Sequence, residues 1–356
     1  MFDSPERVTD LLQELISAPG PPGEEGAVRD VMIKHAEALG CAHTTDARGN
    51  LLVASPGVAA VPDRADVVVM AHLDEIALMV VGVDDDGRLR VTNLGGAYPW
   101  KWGEGPVAIL TPGEILTGIL SFGSIHTNAV GSTAVRVREA ALTWPDTRIF
   151  TGLSRHELTA RGVRPGTRVV LHPSRRGLTA FGNHLSAPFL DDRADLAALL
   201  LTLEAMKHKP LPGDPSVVFA ATVAEEVGGH GALYLLRRLQ PDIGIALEIG
   251  PRVPESPFPL DGQPTVWVND SYSTMRADDI ALVAEVAEGI GQRPHWQALS
   301  RGGSDASCAA SHGLLARPFT LAFAAENSHG YEIMHRQSIV NLSTLTVAVL
   351  ERLSHG

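Results

Sequence analysis

Apolar positions recur at helical spacing at the start of the chain and then change period. Val8, Leu11, Leu12, Leu15 and Ile16 form one helical face. Ser4-Pro5 opens that face as a cap with a first-turn proline, and Ala18-Pro19-Gly20-Pro21-Pro22-Gly23 closes it. A second helix is expected over about Glu24 to Leu39. A short strand at Asn50-Leu51-Leu52-Val53 follows, then an apolar strand, Val67-Val68-Val69-Met70, that runs into His72. From Glu75 to about Arg175 the texture becomes short β-rich segments broken by Gly and Pro, such as Gly87-Arg88-Leu89-Arg90-Val91 and Pro112-Gly113-Glu114-Ile115-Leu116-Thr117-Gly118. After Asp191 helical and strand patterns alternate again: Leu196 to Met206, Val217 to Ala220, Gly231 to Leu239, and Ile243 to Leu247. The expected organisation is a discontinuous α/β domain, residues 1–74 and 176–356, interrupted by a β-rich insert at 75–175.

Composition narrows the class. The chain has 356 residues, of which 44% are hydrophobic and 20% charged, enough to bury a large core. A formal charge of -12 gives no basic footprint, which disfavours nucleic acid and anionic membranes as partners and favours a small peptide or metabolite. No uncharged apolar stretch is long enough to span a bilayer, and the first residues lack a basic segment followed by an apolar one, so a cytoplasmic protein is expected. Cys41 and Cys308 have no ligand spacing, so any metal must be held by His and carboxylates.

Candidate chemistry gathers where strands meet turns. His72 and Asp74 stand two apart after the apolar run, a spacing that suits a metal ligand and its orienting carboxylate. Asp191-Asp192-Arg193 precedes an apolar helix, where a plain N-cap with a surface ion pair is the competing reading. Glu225-Glu226 follows the strand ending at Val223, a place where adjacent like charges are costly unless a cation is present. Glu248 ends the run Ile243 to Leu247, where it could instead face solvent at a sheet edge, and His329 lies in a loop after Phe319 to Phe323. Two histidines and several strand-end carboxylates match a site for two zinc-like ions. One carboxylate must bridge, each ion needs a His and a terminal acid, and one glutamate must stay free as a base. Glu225-Glu226 can supply both ligand and base. The implied reaction is hydrolysis of an amide by water activated between two metals.

These motifs resemble the glutamyl aminopeptidase and tetrahedral (TET) aminopeptidase family, peptidase family M forty-two, within the co-catalytic zinc peptidase clan. The matching strings are Ala71-His72-Leu73-Asp74-Glu75-Ile76, Leu190-Asp191-Asp192-Arg193, Glu225-Glu226-Val227-Gly228, Gly302-Gly303-Ser304-Asp305-Ala306 and Ser328-His329-Gly330-Tyr331-Glu332. Gly162 to Val170 also resembles the end of that family's inserted domain. The resemblance implies a mixed central sheet flanked by helices, with the insert making homo-oligomer contacts in a dodecameric cage. It implies that His72 and Glu248 hold one metal, Glu226 and His329 the other, and that Asp191 bridges them. Glu225 would be the general base, Asp74 would orient His72, and Gly302 to Asp305 would form a turn near the substrate pocket. His230, His312 and His335 are left as structural or surface residues.

One residue departs from the family pattern: Glu248 stands where Asp is usual. In the wider clan Glu there accompanies carboxypeptidases and deacylases. The expected activity is therefore an aminopeptidase acting on short peptides, with a related di-metal carboxypeptidase or N-acyl amidase as the alternative. Zinc, cobalt and manganese all suit the donors. A glycosidase would need two carboxylates and would leave His72 and His329 without a role.

Overall fold

The structure, a computed structural model, describes residues 5–209, 211 and 216–354. The expected cap Ser4 lies outside the described residues. Two compact units divide the chain: Met1–Asp74 with Leu178–Gly356, and Glu75–Gly177.

The first unit opens with α1 (Pro5–Ser17), α2 (Gly26–Leu39), β1 (His43–Thr45), β2 (Leu51–Ala54) and β3 (Val67–His72). Val8, Leu11, Leu12, Leu15 and Ile16 of α1 are all buried, the face that their spacing predicts. Gly40 ends α2 in the left-handed region, φ 74°, where its N–H reaches the carbonyls of Ala36 and Glu37.

The second unit carries β4 (Ala77–Val83), β5 (Leu89–Leu94), α3 (Pro99–Trp102), β6 (Gly105–Leu110), β7 (Ile115–Ser121), α4 (Thr133–Arg136), β8 (Arg148–Phe150), α5 (Arg155–Ala160) and β9 (Arg168–Leu171). Its strands close a barrel in the order β4-β5-β8-β7-β6-β9. In β7 the buried Leu116, Gly118 and Leu120 alternate with the exposed Ile115, Thr117 and Ile119, the period of a strand with one face in a core. Glu75 and Arg176, near the two ends of this unit, form a buried two-pronged ion pair at 2.7 and 2.6 Å.

The chain returns through β10 (Thr179–Phe181), β11 (His184–Pro188), α6 (Leu190–His208), β12 (Val217–Thr222), α7 (His230–Leu239), β13 (Ile243–Pro251), β14 (Pro264–Asn269), α8 (Ala277–Gly289), β15 (His295–Ala298), α9 (Asp305–Ser311), β16 (Arg317–Glu326), β17 (Tyr331–His335) and α10 (Ser338–Leu353). Among the described residues these and the opening strands make one 11-stranded sheet, with the path β1-β2-β12-β3-β13-β16-β17-β11-β10 and with β14 and β15 branching from β16. Its centre is parallel, β12 with β3, β3 with β13 and β13 with β16, while β2 and β17 run antiparallel to their neighbours. The sheet is mixed, as the resemblance implies.

Both faces of that centre are covered. In β3, Val67, Val69 and Ala71 join the core that includes α1, α2, α6 and α10, while Val68 and Met70 join the core under α7 and α9. In β12 the same alternation sends Val217, Phe219 and Ala221 one way and Val218 and Ala220 the other. This is why these strands read as unbroken apolar runs rather than alternating ones. Among the described residues no helix is long and apolar enough to cross a membrane.

Close packing leaves a clear contrast between two glycines. A Cβ on Gly231, at the start of α7, would collide with the Val223 carbonyl oxygen and Asn50 Oδ1, whereas one on Gly289 of α8 would meet nothing within 4 Å. Gly231→Ala is expected to destabilise the fold by about 1–3 kcal/mol. Gly289→Ala is expected to stabilise it by up to about 1 kcal/mol through helix propensity. Thermal denaturation of the two variants checks the pair, and equal melting temperatures would contradict the packing around Gly231.

Candidate metal centre

The carboxyl ends of the parallel strands supply most of the site, the usual position in an open α/β sheet. His72 is the last residue of β3 and is paired in register with Thr222, the last of β12. The β3–β13 ladder ends at Met70–Ala246, two residues before His72 and Glu248. Glu248 lies inside β13, which continues to Pro251, and is buried rather than turned to solvent at a sheet edge.

Asp191 and Asp192 come from the start of α6, where the backbone of both is non-helical and the peptide between them is cis. Glu225 and Glu226 occupy the turn after β12. His329 sits between β16 and β17. Four non-glycine residues at or within two of these positions have left-handed backbone: Phe189 (φ 63°), Ala224 (φ 57°), Asn327 (φ 64°) and His329 itself (φ 59°). Such conformations cost on the order of 1–3 kcal/mol each and persist where surrounding contacts enforce them.

Two donor sets result. Ligand atoms of His72, Asp191, Asp192 and Glu248 lie within 4.8 Å of one another, and so do those of Asp191, Glu226 and His329. Asp191 belongs to both. Its Oδ1 is 3.0 Å from His72 Nε2 and its Oδ2 is 3.5 Å from His329 Nε2. His329 Nε2 is also 3.7 Å from Glu226 Oε1. The five residues expected as ligands, His72, Asp191, Glu226, Glu248 and His329, are thus brought together.

Asp74 touches His72, as expected, and does more besides. His72 Nδ1 lies 3.0 Å from the main-chain oxygen of Asp74 and 3.5 Å from its carboxylate. The carboxylate also accepts the main-chain N–H groups of Glu225 (2.9 Å) and Glu226 (3.1 Å). β3 ends at His72, so strand alternation no longer governs Asp74.

Two carboxylates that the sequence reading left without a role act in the same way. Asp192 Oδ2 accepts the His72 N–H at 2.5 Å. Glu332 accepts from Asp191 N (3.0 Å) and His329 N (2.8 Å), tying both donor sets to one side chain. Each stood inside a motif already singled out, beside Asp191 or three residues after His329, and that adjacency was the available signal. Ser304 caps α9, and the carboxylate of Asp305 accepts the hydroxyl of Thr222 at the end of β12. His230 and His312 are exposed.

The electrostatics show what this cluster lacks. Burial opposes a charged imidazole at His72, but Asp192, Asp191 and Asp74 outweigh it and hold the group well above its usual range. Glu226 stands opposite His329 and raises it strongly. Burial followed by repulsion from Asp191 and Asp74 pushes Glu226 up to about 7. Burial with Asp305 and Glu226 pushes Glu225 well up, and burial with Asp191 and Glu225 does the same to Glu248. Asp191 is buried too, yet its hydrogen bonds to His329 and His72 hold it below the ordinary carboxylate range. Asp192 Oδ1, in the first donor set, has no hydrogen-bond partner among the described residues. Buried acids that repel one another, with an orphaned oxygen among them, fit divalent cations held by nitrogen and oxygen donors.

Comparison with known proteins agrees with this geometry. The family model described as M42 glutamyl aminopeptidase matches residues 49–345. The lysyl aminopeptidase of Pyrococcus furiosus is 26% identical over 67% of this chain and 66% of that protein, so the match spans just under two thirds of the relative's length. A TET aminopeptidase from the marine sediment archaeon Thaumarchaeota archaeon SCGC AB-539-E09 superposes with a TM-score of 0.86 at 21% identity, covering 98% of this chain and 97% of the other. The TET1 peptidase of Pyrococcus horikoshii, which can assemble into a tetrahedron or a large octahedral shell, gives a TM-score of 0.80 at 26% identity over 96% and 98% of the two chains. With 49–345 covered by the family model and the donor sets in place, the chain belongs to the M42 glutamyl aminopeptidase family.

Proposed function

We propose that this protein is a metal-dependent aminopeptidase that removes N-terminal residues from short peptides, with two divalent ions, zinc by preference, in the two donor sets. The observation that carries the reading is the position of Asp191, shared by a set containing His72 and Glu248 and a set containing Glu226 and His329. In it His72 and Glu248 would hold one ion and Glu226 and His329 the other, Asp191 would serve both, and Asp192 would be a further donor to the first. When bound, the ions supply Lewis acidity at the scissile carbonyl and activate water near neutral pH.

The chain's own groups do the rest. Glu225 is the general base: it takes a proton from the attacking water and returns it to the leaving amine. Its main chain is fixed by Asp74, and it belongs to neither donor set, which suits a proton shuttle that is not itself a ligand. The His72 Nδ1–H is directed at the Asp74 carbonyl, which leaves Nε2 for a metal.

Glu248 favours a second reading, a carboxypeptidase or N-acyl amidase of the same metal chemistry. Its side chain is a methylene longer than the usual Asp, and one oxygen turns back to its neighbour's Ile249 N–H at 3.0 Å. Free and N-acetylated short peptides, incubated with metal-loaded and chelated protein and read by mass spectrometry, separate the two. Chelator-sensitive loss of N-terminal residues from free peptides alone is the expected result. Cleavage of blocked peptides, or release from the C-terminus, would transfer the assignment to the second reading.

A homo-oligomer is part of the proposal: the dodecameric cage that the family resemblance implies, in keeping with the tetrahedral or octahedral shells of the Pyrococcus horikoshii relative. Exposed Ile119 and Phe150, paired across β7 and β8, and exposed Trp100 and Ile115 give the insert apolar surface for such contacts. A cytoplasmic location suits the two unbridged, buried thiols of Cys41 and Cys308.

Two further outcomes are expected. Glu225→Gln should lower kcat by about 10²–10⁴-fold while elemental analysis still finds both metals; undiminished turnover would remove Glu225 from the base role. The metal-free protein should lose melting temperature as pH rises from about 5 to 8. Glu226, raised to about 7, and Glu332, raised to about 8 by burial and Asp191, keep more protons folded than unfolded, as do the raised His72 and His329. Stability therefore falls with pH across that window. The depressed Asp191 acts with the opposite sign, but below its ordinary value of 3.8. Metal loading should abolish the decline, and a metal-free melting temperature that held level or rose would contradict the unbalanced charge of the cluster.

A further inference from the structure

The acidic pair rides on a loop, residues 223–231, that leaves β12 and runs into the start of α7, and one buried side chain from a distant hairpin fastens both of its ends. Asn50 Oδ1 accepts the Val223 N–H at 3.0 Å, and Asn50 Nδ2 donates to the Gly231 carbonyl at 3.1 Å. The Gly231 N–H spans the same gap, donating to the Val223 carbonyl at 2.9 Å. The β2–β12 ladder ends at Leu51–Ala221, so Asn50, the next residue back, extends it with a side chain where main-chain pairing has stopped.

Asn50 is itself held in place. Its Nδ2 also donates to Asp46 Oδ2 at 2.8 Å, while Asp46 Oδ1 accepts the N–H groups of Arg48, Gly49 and Asn50 at 2.9, 3.0 and 3.0 Å in the turn between β1 and β2. One donor and two acceptors around the carboxamide fix which end is which, since a flip would set Nδ2 against an N–H and Oδ1 against a carbonyl and a carboxylate. Asn50 is fully buried, where an unpaired amide is costly. Gly231 makes the approach possible: a Cβ there would lie 2.4 Å from Asn50 Oδ1.

Between the two fastened ends stand Ala224, whose φ of 57° turns the chain out of the strand, and Glu225. The Ala224 carbonyl accepts the His230 N–H at 3.2 Å, and the Glu225 carbonyl accepts those of Gly228 and Gly229 at 2.9 and 3.0 Å, so the loop is bonded within itself. Its placement on the sheet is then set from outside, by Asp74 at the amides of the acidic pair and by Asn50 at the base. We propose that Asn50 is a positioning residue for the general base: by joining Val223 to Gly231 it closes the loop on the end of β12 and fixes Glu225 relative to the donor sets. The hairpin turn at Asp46, 173 residues from Val223 by way of Asn50, thereby acquires a role in the chemistry.

This inference rests on the reading of Glu225 as the base, and two measurements keep the two ideas apart. Asn50→Ala removes both bonds to the loop. In the metal-free protein, hydrogen exchange resolved over 223–231 should become at least about tenfold faster. In the protein saturated with metal, kcat should fall about tenfold with KM within about twofold, because the substrate's contacts are untouched while the base is misaimed. Val349→Ala, a core truncation in α10, serves as the comparison: it should lower the melting temperature yet leave both the 223–231 exchange and kcat unchanged. Should Asn50→Ala fail to fold, Asp46→Asn in the half-buried turn takes its place. Whichever way its amide turns, an NH2 group faces another donor, so both readouts should move in the same direction by about threefold. Unaltered exchange in the variant that folds, faster exchange with unaltered kcat, or an equal loss of kcat in Val349→Ala would overturn the proposal. If the parent protein shows no chelator-sensitive peptidase activity, the functional reading fails, and the exchange measurement still decides whether Asn50 holds the loop.

Discussion

Unbalanced negative charge is the constraint on which the α/β unit depends. Asp74, Asp191, Asp192, Asp195, Glu248, Asp305 and Glu332 are buried around His72 and His329, with Glu225 and Glu226 at the edge. Two unit charges 4 Å apart interact by about 4 kcal/mol at a protein-like effective dielectric, so such a group cannot all be ionised without compensation. Part of the compensation is already built from main chain. Both oxygens of Asp74 and Glu332 and one of Asp192 accept the amides of Glu225, Glu226, Asp191, His329 and His72, the residues that carry the proposed ligands and base. Amide donors favour the charged form of a carboxylate, and the same bonds lock the loops. One set of interactions thus limits the charge problem and orients the side chains facing the metals.

The sheet decides where that cluster can exist. β3 and β12 are buried along their whole length, with helices on both faces, and the site begins where their ladder stops. Arg193 is the largest fully buried side chain among the described residues. Its guanidinium donates to the carbonyls of Leu15, Ala18 and Leu73, joining the end of α1 to the residue after His72. Gly20 leaves room for it, since a Cβ there would come within 2.9 Å of both the guanidinium and the Leu73 carbonyl oxygen. The arginine thereby organises the backbone that borders the acidic cluster.

Much of this was legible in the sequence, for reasons that separate local from distant. The α1 face, the apolar runs of β3, β12 and β13, and the five candidate ligands are each announced by periodicity or by a polar residue ending an apolar run. Element limits were less accessible: the helix expected from Leu196 begins at Leu190, because Asp191 and Asp192 sit in an interrupted first turn rather than before it. Asp192 and Glu332 were invisible as positioning groups. Their bonds reach across 120 residues for Asp192 to His72 and 141 for Glu332 to Asp191, and no periodicity encodes a contact between loops that only the folded sheet brings together. Asp74 illustrates the same limit from the other side. Its spacing from His72 suggested a partner for the imidazole, which it lies beside, but nothing local announced that its carboxylate is also bonded to amides 151 and 152 residues away.

The point where the barrel unit enters the chain follows from these bonds. Three consecutive residues after His72 are each fixed by a different partner: Leu73 through its carbonyl to Arg193, Asp74 through its carboxylate to the acidic turn, and Glu75 through its carboxylate to Arg176. An excursion from Glu75 to Gly177 opening one residue after Asp74 would loosen a site loop if its ends were free. Closing a long loop costs only slowly more entropy as the loop grows, so a single strong contact between its ends can meet most of that cost. The buried, two-pronged Glu75–Arg176 pair is such a contact. It makes the length and content of the insert nearly irrelevant to Asp74, which lets the barrel present a different surface without disturbing the carboxylate that aims the acidic turn.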